Sequence, residues 1–305
     1  MGKKVDKVFL VYKETSFSYN RLIKDVNSLN EIPSEIFPDD VYEFFVFLTA
    51  SLVYDIPIII KDAVQSLTPA LFPIKRQTNK DINNFTEITP QNWRLTLYTS
   101  GTTGVPKKIT HSFENLKRYV KISDEKINNV WGFAYNPTHI AGVQVFLEGL
   151  LNSNSFVYLF DEKPQIISHL INKNQITHIS ATPSFFNLFL DSSTVYKTVK
   201  KATVGGEPLS DTVTGKLKHS FPNADLRNVY ASTEAGSVLS GKGNVFVVRD
   251  SLRSSLKIMD GVLYLKSSLL GDFEYQSSDT WYCTGDRVEL LTTEPLTIKI
   301  LGREI

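Results

Sequence analysis

The sequence contains little cysteine: Cys283 is the single one among 305 residues. One cysteine excludes a disulfide within the chain, and this usage fits a reducing compartment. We interpret Cys283 as a buried small apolar residue rather than as a nucleophile.

An excess of charge of one sign is also missing, because 33 lysines and arginines face 32 aspartates and glutamates, for a formal net charge of +1. This balance argues against nucleic acid and anionic membranes as partners. The short basic pairs Lys3-Lys4 and Lys200-Lys201 are interpreted as solvated surface. Apolar residues make up 42% and charged residues 21%, which is typical of a globular protein.

Long hydrophobic runs are lacking as well. The most apolar region, Val41–Ile60, is interrupted by Glu43, Asp55 and Pro57, whereas a spanning helix needs about 20 mostly apolar residues. The N-terminal sequence MGKKVDKVFLVYKE has charges too early and an apolar stretch too short for a signal peptide. The sequence therefore predicts a cytoplasmic protein without a membrane segment.

The first 200 residues alternate strand-like and helix-like patterns, which predicts an α/β fold with mainly parallel sheets. Predicted strands are Val8–Tyr12, Ile56–Ile60, Arg94–Tyr98, Phe156–Leu159, His178–Ala181 and Lys201–Val204. Predicted helices are Asp40–Tyr54, Phe113–Ile127, Ile140–Leu151, Pro164–Asn172 and Pro183–Leu190. After Glu234, the short segments Asn244–Arg249, Lys257–Met259, Val262–Lys266 and Val288–Thr292 indicate a small β-rich lobe. The polar segment Leu67–Asn84 is interpreted as a connection between lobes.

The most informative segment is Leu95-Thr-Leu-Tyr-Thr-Ser-Gly-Thr-Thr-Gly-Val-Pro-Lys107, an apolar strand that leads into a polar loop. Its glycines let backbone N–H groups turn inward, its hydroxyl groups donate hydrogen bonds, and its lysine supplies a positive charge. Together these groups suit a polyphosphate. The segment is not a Walker loop, because Pro106 rather than glycine precedes Lys107.

Residues Tyr98-Thr-Ser-Gly-Thr-Thr-Gly-Val-Pro-Lys107 resemble the AMP-binding signature of the adenylate-forming superfamily. That superfamily includes acyl- and aryl-CoA synthetases, the adenylation domains of nonribosomal peptide synthetases, and luciferases. Lys108 departs from the pattern, since a glycine usually follows. The run Thr110-His-Ser-Phe-Glu-Asn-Leu116 also resembles the family, which implies that His111 is structural rather than catalytic.

Further blocks follow in the family's order. Asn228-Val-Tyr-Ala-Ser-Thr-Glu234 resembles its Tyr-Gly-x-Thr-Glu block, and Val204-Gly-Gly-Glu-Pro-Leu209 resembles its adenine-contacting loop. Tyr282-Cys-Thr-Gly-Asp286 resembles its ribose-binding block, and Leu301-Gly-Arg303 resembles the start of its hinge. The resemblance implies that Tyr230 packs on adenine, Thr233 meets the α-phosphate and Glu234 binds Mg²⁺, roles that suit a flat ring, a hydroxyl and a hard oxygen ligand.

The nucleotide-binding residues that the resemblance implies are Thr99, Ser100, Gly101, Thr102, Thr103, Gly104, Lys107, Gly206, Glu207, Pro208, Asn228, Tyr230, Thr233, Asp286 and Arg303. Those with an implied catalytic role are Thr99, Lys107, Thr233 and Glu234, and the implied metal ligand is Glu234. The cofactors implied are ATP or AMP with Mg²⁺, and coenzyme A or phosphopantetheine as the acceptor.

The block Asn136-Pro-Thr-His139-Ile-Ala-Gly142 resembles the segment that opens the acid-binding helix. The implied acid pocket consists of His139, Gly142, Gly205, Ala231 and Ser232. Amino-acid-activating relatives tend to carry Phe-Asp here, and this sequence has no acidic residue at the matching place. The resemblance therefore favours a small aryl or acyl acid, and Ala231 in place of the usual glycine suggests a tighter pocket.

The resemblance covers the chain from about Trp93 to its end and implies a layered αβαβα N-terminal domain with a small β-rich, distorted-barrel lobe. The expected parts are a lobe at 1–90, an ATP- and AMP-binding lobe at 91–240, the β-rich lobe at 241–301, and a hinge beginning at 302–305. Residues 1–90 match only loosely. We expect the small C-terminal domain of the family to be absent.

The implied reaction joins a carboxylic acid to AMP and passes the acyl group to coenzyme A or to the pantetheine of a carrier protein. The family's other catalytic lysine belongs to the C-terminal domain, so we expect this chain to bind ATP or AMP but to adenylate poorly. Two alternatives stay open: an amino-acid adenylation domain that loads a carrier protein, and a non-catalytic nucleotide-binding relative.

Overall fold

The computed structural model describes residues 6–61, 74–75, 85, 87–99, 107–191, 193–273 and 280–303. Its strands are β1 Val8–Tyr12, β2 Thr15–Ser18, β3 Glu31–Ile32, β4 Glu35–Ile36, β5 Ile58–Ile60, β6 Ile74–Lys75, β7 Arg94–Thr99, β8 Lys107–Ser112, β9 Val130–Phe133, β10 Ser155–Tyr158, β11 His178–Ala181, β12 Lys201–Gly205, β13 Asp225–Ser232, β14 Gly236–Gly241, β15 Val245–Val247, β16 Leu256–Met259, β17 Val262–Lys266, β18 Trp281–Thr293 and β19 Leu296–Arg303. Its helices are α1 Tyr19–Ser28, α2 Val41–Val53, α3 Phe113–Lys117, α4 Ile140–Leu151, α5 Pro164–Lys173, α6 Pro183–Phe189, α7 Asp211–Ser220 and α8 Asp250–Arg253.

The largest sheet has eight strands in the order β14-β13-β12-β11-β9-β10-β1-β2. Its inner pairs are parallel, and the edge strands β2 and β14 pair antiparallel with their neighbours. Helices cover such a sheet because each parallel connection needs a crossover. Since β1 pairs with β10, the division expected at residue 90 does not coincide with a sheet boundary.

A second sheet has the order β4-β5-β7-β8, in which β7 and β8 form an antiparallel hairpin. The polyphosphate loop predicted from the sequence connects these two strands, and backbone pairing of Thr99 with Lys107 holds its two ends together. Ser100, Gly101, Thr102, Thr103 and Gly104 lie outside the described residues.

The β-rich lobe is a five-stranded antiparallel sheet with the order β15-β19-β18-β17-β16. This sheet confirms the small β-rich lobe that the sequence predicts after Glu234. Gly285 has a φ of +74°, and the pairing of β18 with β17 shifts register around it. A glycine adopts this conformation without strain, so it permits a bulge inside β18.

Two apolar helices, α2 and α4, form the centre of the core. Asp40 caps α2 by accepting a hydrogen bond of 2.9 Å from the backbone N–H of Glu43. Both helices are apolar on most of their circumference, as expected of helices that protein covers on more than one side. The rings of Phe45 on α2 and Phe146 on α4 stack with centroids 4.7 Å apart. The sequence patterns predict these two helices to within a residue at each end.

Two local predictions are wrong, and one predicted strand is longer than expected. The helix expected over Phe113–Ile127 ends at Lys117, because the side chain of Arg118 instead bonds the carbonyl oxygen of Leu269 at 2.8 Å in the β-rich lobe. Cys283 is exposed rather than buried, since it lies on the solvent-facing side of β18. The strand expected at Val288–Thr292 is thirteen residues long and includes the Thr-Gly-Asp block.

Within the part of the chain that the structure describes, no helix has the length and apolar character needed to cross a membrane.

Candidate active site

A cavity of about 960 Å³ begins at the carboxyl ends of β11, β12 and β13 and continues along the face of the sheet beneath α4. Loops at the carboxyl ends of parallel strands are the usual binding position in open α/β sheets, and this volume suits a small-molecule site. The cavity brings together these residues predicted from the sequence: Lys107, His139, Gly205, Gly206, Glu207, Ala231, Ser232, Thr233, Glu234 and Arg303.

The loop after β12 forms one wall of the cavity. Gly206 has a φ of +84°, which lets the chain turn sharply where the strand ends. The carboxylate of Glu207 accepts hydrogen bonds of 3.1 Å and 2.5 Å from the backbone N–H and the hydroxyl of Ser184, in the first turn of α6. Glu207 therefore ties this loop to α6, where a negative charge is favoured by the helix N-terminus.

The turn between β13 and β14 carries Thr233 and Glu234, and His111 anchors it. The ring Nε2 of His111 lies 2.7 Å from the carbonyl oxygen of Thr233. A carbonyl only accepts, so Nε2 carries the proton and donates. The His111 side chain is fully buried, and its Nδ1 has no hydrogen-bond partner among the described residues. His111 thus has a structural place, as the sequence implied, and positions the backbone beside Glu234.

This arrangement predicts a pH-dependent stability. Burial lowers the pKa of His111 below its usual 6.5, and the bond to Thr233 opposes this only in part. Below pH 6.5 the unfolded chain therefore takes up a proton that the folded chain does not. The free energy of unfolding should fall with decreasing pH by at most about 1.4 kcal/mol per unit from this residue.

Urea unfolding of wild type and His111→Gln between pH 7.5 and 5.0 tests this expectation. The glutamine amide can still donate to the carbonyl oxygen of Thr233 but does not titrate, so the variant should lose less stability on acidification. The matched control, His219→Gln on the exposed face of α7, should follow the wild-type curve. Parallel curves for wild type and His111→Gln would contradict the assignment.

Asp286 is a buried carboxylate with two partners. Its Oδ2 accepts a hydrogen bond from the hydroxyl of Tyr230, and its Oδ1 accepts one of 3.0 Å from Nε of Arg303. Burial, together with the Asp286 charge, raises the pKa of Tyr230 well above its usual range, so Tyr230 stays a donor. Because each carboxylate oxygen has two lone pairs, Asp286 keeps acceptor capacity for a ligand hydroxyl.

The bulge in β18 explains how Asp286 is presented. Its backbone N–H donates to Thr284 Oγ1 at 3.0 Å, and the Thr284 hydroxyl donates to the carbonyl oxygen of Leu263 at 2.8 Å. These two bonds close the bulge around Gly285. A bulge changes the direction of a side chain on its strand, and here it lets Asp286 lie beside Arg303, its pairing partner on β19.

Several residues predicted for the site have other contacts in the structure. The Asn228 side chain donates to the carbonyl oxygen of Gly243 at 2.8 Å and so holds the turn before β15. A side chain at Gly142 would lie 2.4 Å from the carbonyl oxygen of Asn136, which indicates close backbone packing at the start of α4. Pro208 is exposed. Among the described residues, these positions are not part of the cavity lining, and neither are Tyr230 and Asp286, which lie beside the lining residue Arg303.

Sequence reasoning missed the polar residues along the cavity's length. Gln144 accepts hydrogen bonds from the backbone N–H and hydroxyl of Ser237, at 3.2 Å and 2.9 Å. Gln144 and Glu148 are the polar side chains of the otherwise apolar α4, and they lie four residues apart on one face. This spacing of two polar residues in an apolar helix was the feature of the sequence that could have indicated a polar face towards the cavity. Lys201, interpreted above as solvated surface, is half-buried and also lines the cavity.

Glu234 is the residue that the sequence predicts as a metal ligand. No group of three or more His, Cys, Asp or Glu side chains that could hold a metal ion occurs within residues 6–303 as far as the structure describes them. Glu234 is half-buried and lines the cavity. Mg²⁺ in nucleotide sites is commonly bound by one or two carboxylates, water and substrate phosphates. Glu234 therefore fits the role of a protein ligand in a shared Mg²⁺ site.

Comparison of the sequence with known proteins identifies a family and relatives that are similar to this chain. The model of a family described as AMP-binding enzyme matches residues 51–256. Bacitracin synthase 1 of Bacillus licheniformis is 30% identical over 199 residues, which cover 57% of this chain and 4% of that protein. A putative acyl-CoA ligase, YdaB of Bacillus subtilis, is 27% identical over 160 residues, which cover 50% of this chain and 31% of that protein. The chain thus spans less than a third of the length of these curated relatives.

Solved structures show the fold. The o-succinylbenzoate coenzyme A synthetase MenE of Bacillus subtilis, in complex with AMP, superposes with a TM-score of 0.71 at 14% identity. That match covers 98% of this chain and 76% of the synthetase. The N-terminal domain of FACL13 from Mycobacterium tuberculosis gives a TM-score of 0.69 at 12% identity and covers 97% of this chain and 96% of that domain. These matches confirm the layered α/β architecture expected from the sequence.

Proposed function

Because the chain belongs to the AMP-binding enzyme family, we propose that it activates a small carboxylic acid as an acyl-adenylate and supplies the acyl group to a thiol. The observation that carries the proposal is the lining of one cavity by Lys107, His139 and Glu234. These residues come from three separate motifs of the sequence. A phosphate-binding cation, an acid-pocket residue and a metal ligand are the parts that such a reaction requires at one place.

In the first step a carboxylate oxygen of the acid forms a bond to the α-phosphorus of ATP, and the bond between the α-phosphorus and the bridging oxygen breaks. Pyrophosphate leaves with that oxygen, and the acyl-adenylate stays bound. Catalysis of this step rests on alignment and on neutralisation of phosphoryl charge. Lys107 supplies a positive charge to the phosphates, Thr233 meets the α-phosphate, and Glu234 holds Mg²⁺, which neutralises phosphate charge when bound.

Asp286 and Arg303 position the nucleotide during this step. The Asp286 carboxylate accepts hydrogen bonds from the ribose hydroxyls, and the Arg303 side chain, which lines the cavity, lies next to it. Tyr230 packs on adenine and fixes Asp286 through its hydroxyl. The loop of Gly206 and Glu207 borders the adenine.

In the second step a thiol sulfur forms a bond to the carbonyl carbon of the acyl-adenylate, loses its proton, and displaces AMP. Coenzyme A or the pantetheine of a carrier protein is the acceptor. The similarity to a coenzyme A synthetase supports the first acceptor, and the similarity to a hybrid PKS-NRPS synthetase supports the second.

The acid is an acyl or aryl acid rather than an α-amino acid. The start of α4 carries His139 at its N-cap, preceded by Thr138, and has no acidic residue in its first turn. An ammonium group bound there would lack a carboxylate partner in the first turn of that helix. Glu207 is held by Ser184, and Glu148 forms an ion pair of 2.6 Å with Lys126 at the other end of α4.

Calorimetry with three ligands tests the proposal on the chain itself: AMP, an octanoyl sulfamoyladenosine, and a leucyl sulfamoyladenosine. The octanoyl compound should bind at least about tenfold more tightly than AMP, because each buried CH₂ contributes roughly 0.8 kcal/mol. A tighter leucyl compound would favour amino-acid adenylation. Equal affinities for AMP and the octanoyl compound would favour a nucleotide sensor, and absence of AMP binding would overturn the family function altogether.

A further inference from the structure

The far end of the cavity carries a lysine. Lys201 is the first residue of β12, and the side chains of this strand alternate between two environments. Ala202 and Val204 are buried in the core beneath α5–α7, whereas Lys201, Thr203 and Gly205 line the cavity. Gly205 lies at the end where the acid is activated, and Lys201 lies at the opposite end of the same strand.

The neighbouring charges of Lys201 are mostly paired with one another. The ammonium of Lys126 bonds the carboxylate of Glu148 at 2.6 Å, and Arg227 bonds Asp225 at 2.8 Å. Among the described residues, the Lys201 ammonium has neither a hydrogen bond nor an ion pair, although Glu148 lies near enough to act on it electrostatically. Lys201 is therefore the cation of this group that lacks a direct partner.

The other titratable neighbour of Lys201 is His178, which cannot serve as an anionic partner. His178, next to Lys201 across the β11–β12 pairing, has a pKa lowered to about 4 by burial and then by the charge of Lys201, so it is neutral at pH 7. Burial likewise lowers the pKa of Lys201 from its usual 10.5. A half-buried ammonium without a partner is unfavourable unless an anion neutralises it.

The length of β12 sets the size of the group that can reach this cation. Lys201 and Gly205 are four positions apart, which corresponds to roughly 13 Å along a strand. A lysine side chain covers part of that distance. The partner of Lys201 would then be carried by an acid of medium length, with apolar atoms between its two ends packed against Val145 and Trp131, which also line the cavity.

We propose that Lys201 is a specificity residue and that the substrate is a carboxylic acid with a second carboxylate at its distal end. One carboxylate is activated near His139 and Gly205, and the other pairs with the Lys201 ammonium. The inference rests on the proposed function, because it describes the acid pocket of that reaction. It accounts for a cation that the protein itself leaves without a direct partner.

Calorimetry with matched sulfamoyladenosine ligands tests the proposal. The three acyl groups are octanoyl, its ω-carboxy form from octanedioic acid, and the corresponding ω-amide. Wild type should bind the ω-carboxy ligand about tenfold more tightly than the octanoyl ligand, with the neutral amide between them. Lys201→Met should reverse this order while leaving the affinity for AMP unchanged.

Lys200→Met is the control, because Lys200 precedes β12 and is exposed, so its replacement should preserve the preference of wild type. Preference of wild type for the octanoyl ligand, or a ω-carboxy preference that survives Lys201→Met, would overturn the proposal for Lys201. Tight binding of AMP and of octanoyl sulfamoyladenosine in the same experiment would leave the proposed acid activation supported. Loss of binding of all ligands, AMP included, would instead reject the proposed function itself.

Discussion

Replacing Asp286 with asparagine should weaken AMP binding by roughly 10- to 100-fold, because hydrogen bonds to a charged group contribute about 1.5 to 3 kcal/mol. The carboxylate accepts from Tyr230 and Arg303 and retains lone pairs for ribose hydroxyls. An asparagine side chain has the same shape, but its amide is uncharged. One of the two carboxylate oxygens is replaced by an NH₂ group, which donates hydrogen bonds instead of accepting them. Calorimetry with AMP measures the loss directly.

The control for this experiment is Asp260→Asn, an exposed position in the same lobe. Asp260 has a φ of +51°, a conformation that asparagine also tolerates. The control should bind AMP as wild type does. Urea unfolding of both variants separates a binding effect from a loss of the fold. Unchanged AMP affinity in Asp286→Asn would show that this carboxylate does not contact the nucleotide.

A second variant measures the contribution of the hydrogen bond that the Tyr230 hydroxyl donates to Asp286. In Tyr230→Phe the carboxylate loses one donor but keeps its charge and Arg303, so AMP affinity should fall less than in Asp286→Asn. Tyr230 thereby acts through Asp286 as well as through its ring. This ordering follows from the geometry, since the hydroxyl is bonded to Asp286 while the ring is a separate part of the side chain.

The sequence predicts those elements whose pattern is local. β1, α4 and β11 have the bounds expected, because the residues of each segment and of its two ends carry the pattern locally. The prediction of a helix after Lys117 is wrong because the structure of this segment depends on residues distant in sequence. Asn115 and Arg118 donate to carbonyl oxygens of Leu270 and Leu269 in the β-rich lobe, and no local pattern encodes those contacts.

The same distinction applies to the site. Motifs predict Thr233, Glu234 and Asp286 as site residues because each stands in a short block of fixed order. Lys201 has no such block, and its basic neighbour Lys200 made a solvated pair the natural interpretation. Its place in the cavity follows from the pairing of β12 with β11 and β13, which fixes the face that Lys201 shares with Thr203. Register between strands, rather than composition, decides its position in the cavity.

Lys107→Met should weaken ATP binding by roughly 30-fold, the effect of losing about 2 kcal/mol from a charge-assisted contact to phosphate. AMP binding should change little, since the lysine is assigned to phosphates that AMP lacks. The neighbouring Lys108 offers a matched control. Both residues are exposed at the start of β8, but successive side chains on a strand point to opposite faces, and only Lys107 of the two lines the described cavity.

The comparison of the two lysines distinguishes a direct contact with the phosphates from nonspecific electrostatic attraction to a basic surface. If attraction between a basic surface and the nucleotide were sufficient, Lys107→Met and Lys108→Met would weaken ATP binding equally, and added salt would reduce the affinity of both alike. A contact at the phosphates instead predicts that Lys108→Met binds ATP as wild type does. It also predicts that the deficit of Lys107→Met appears with ATP and disappears with AMP. Calorimetry in Mg²⁺-containing buffer with both nucleotides measures each case, and equal losses for ATP and AMP would remove Lys107 from the triphosphate site.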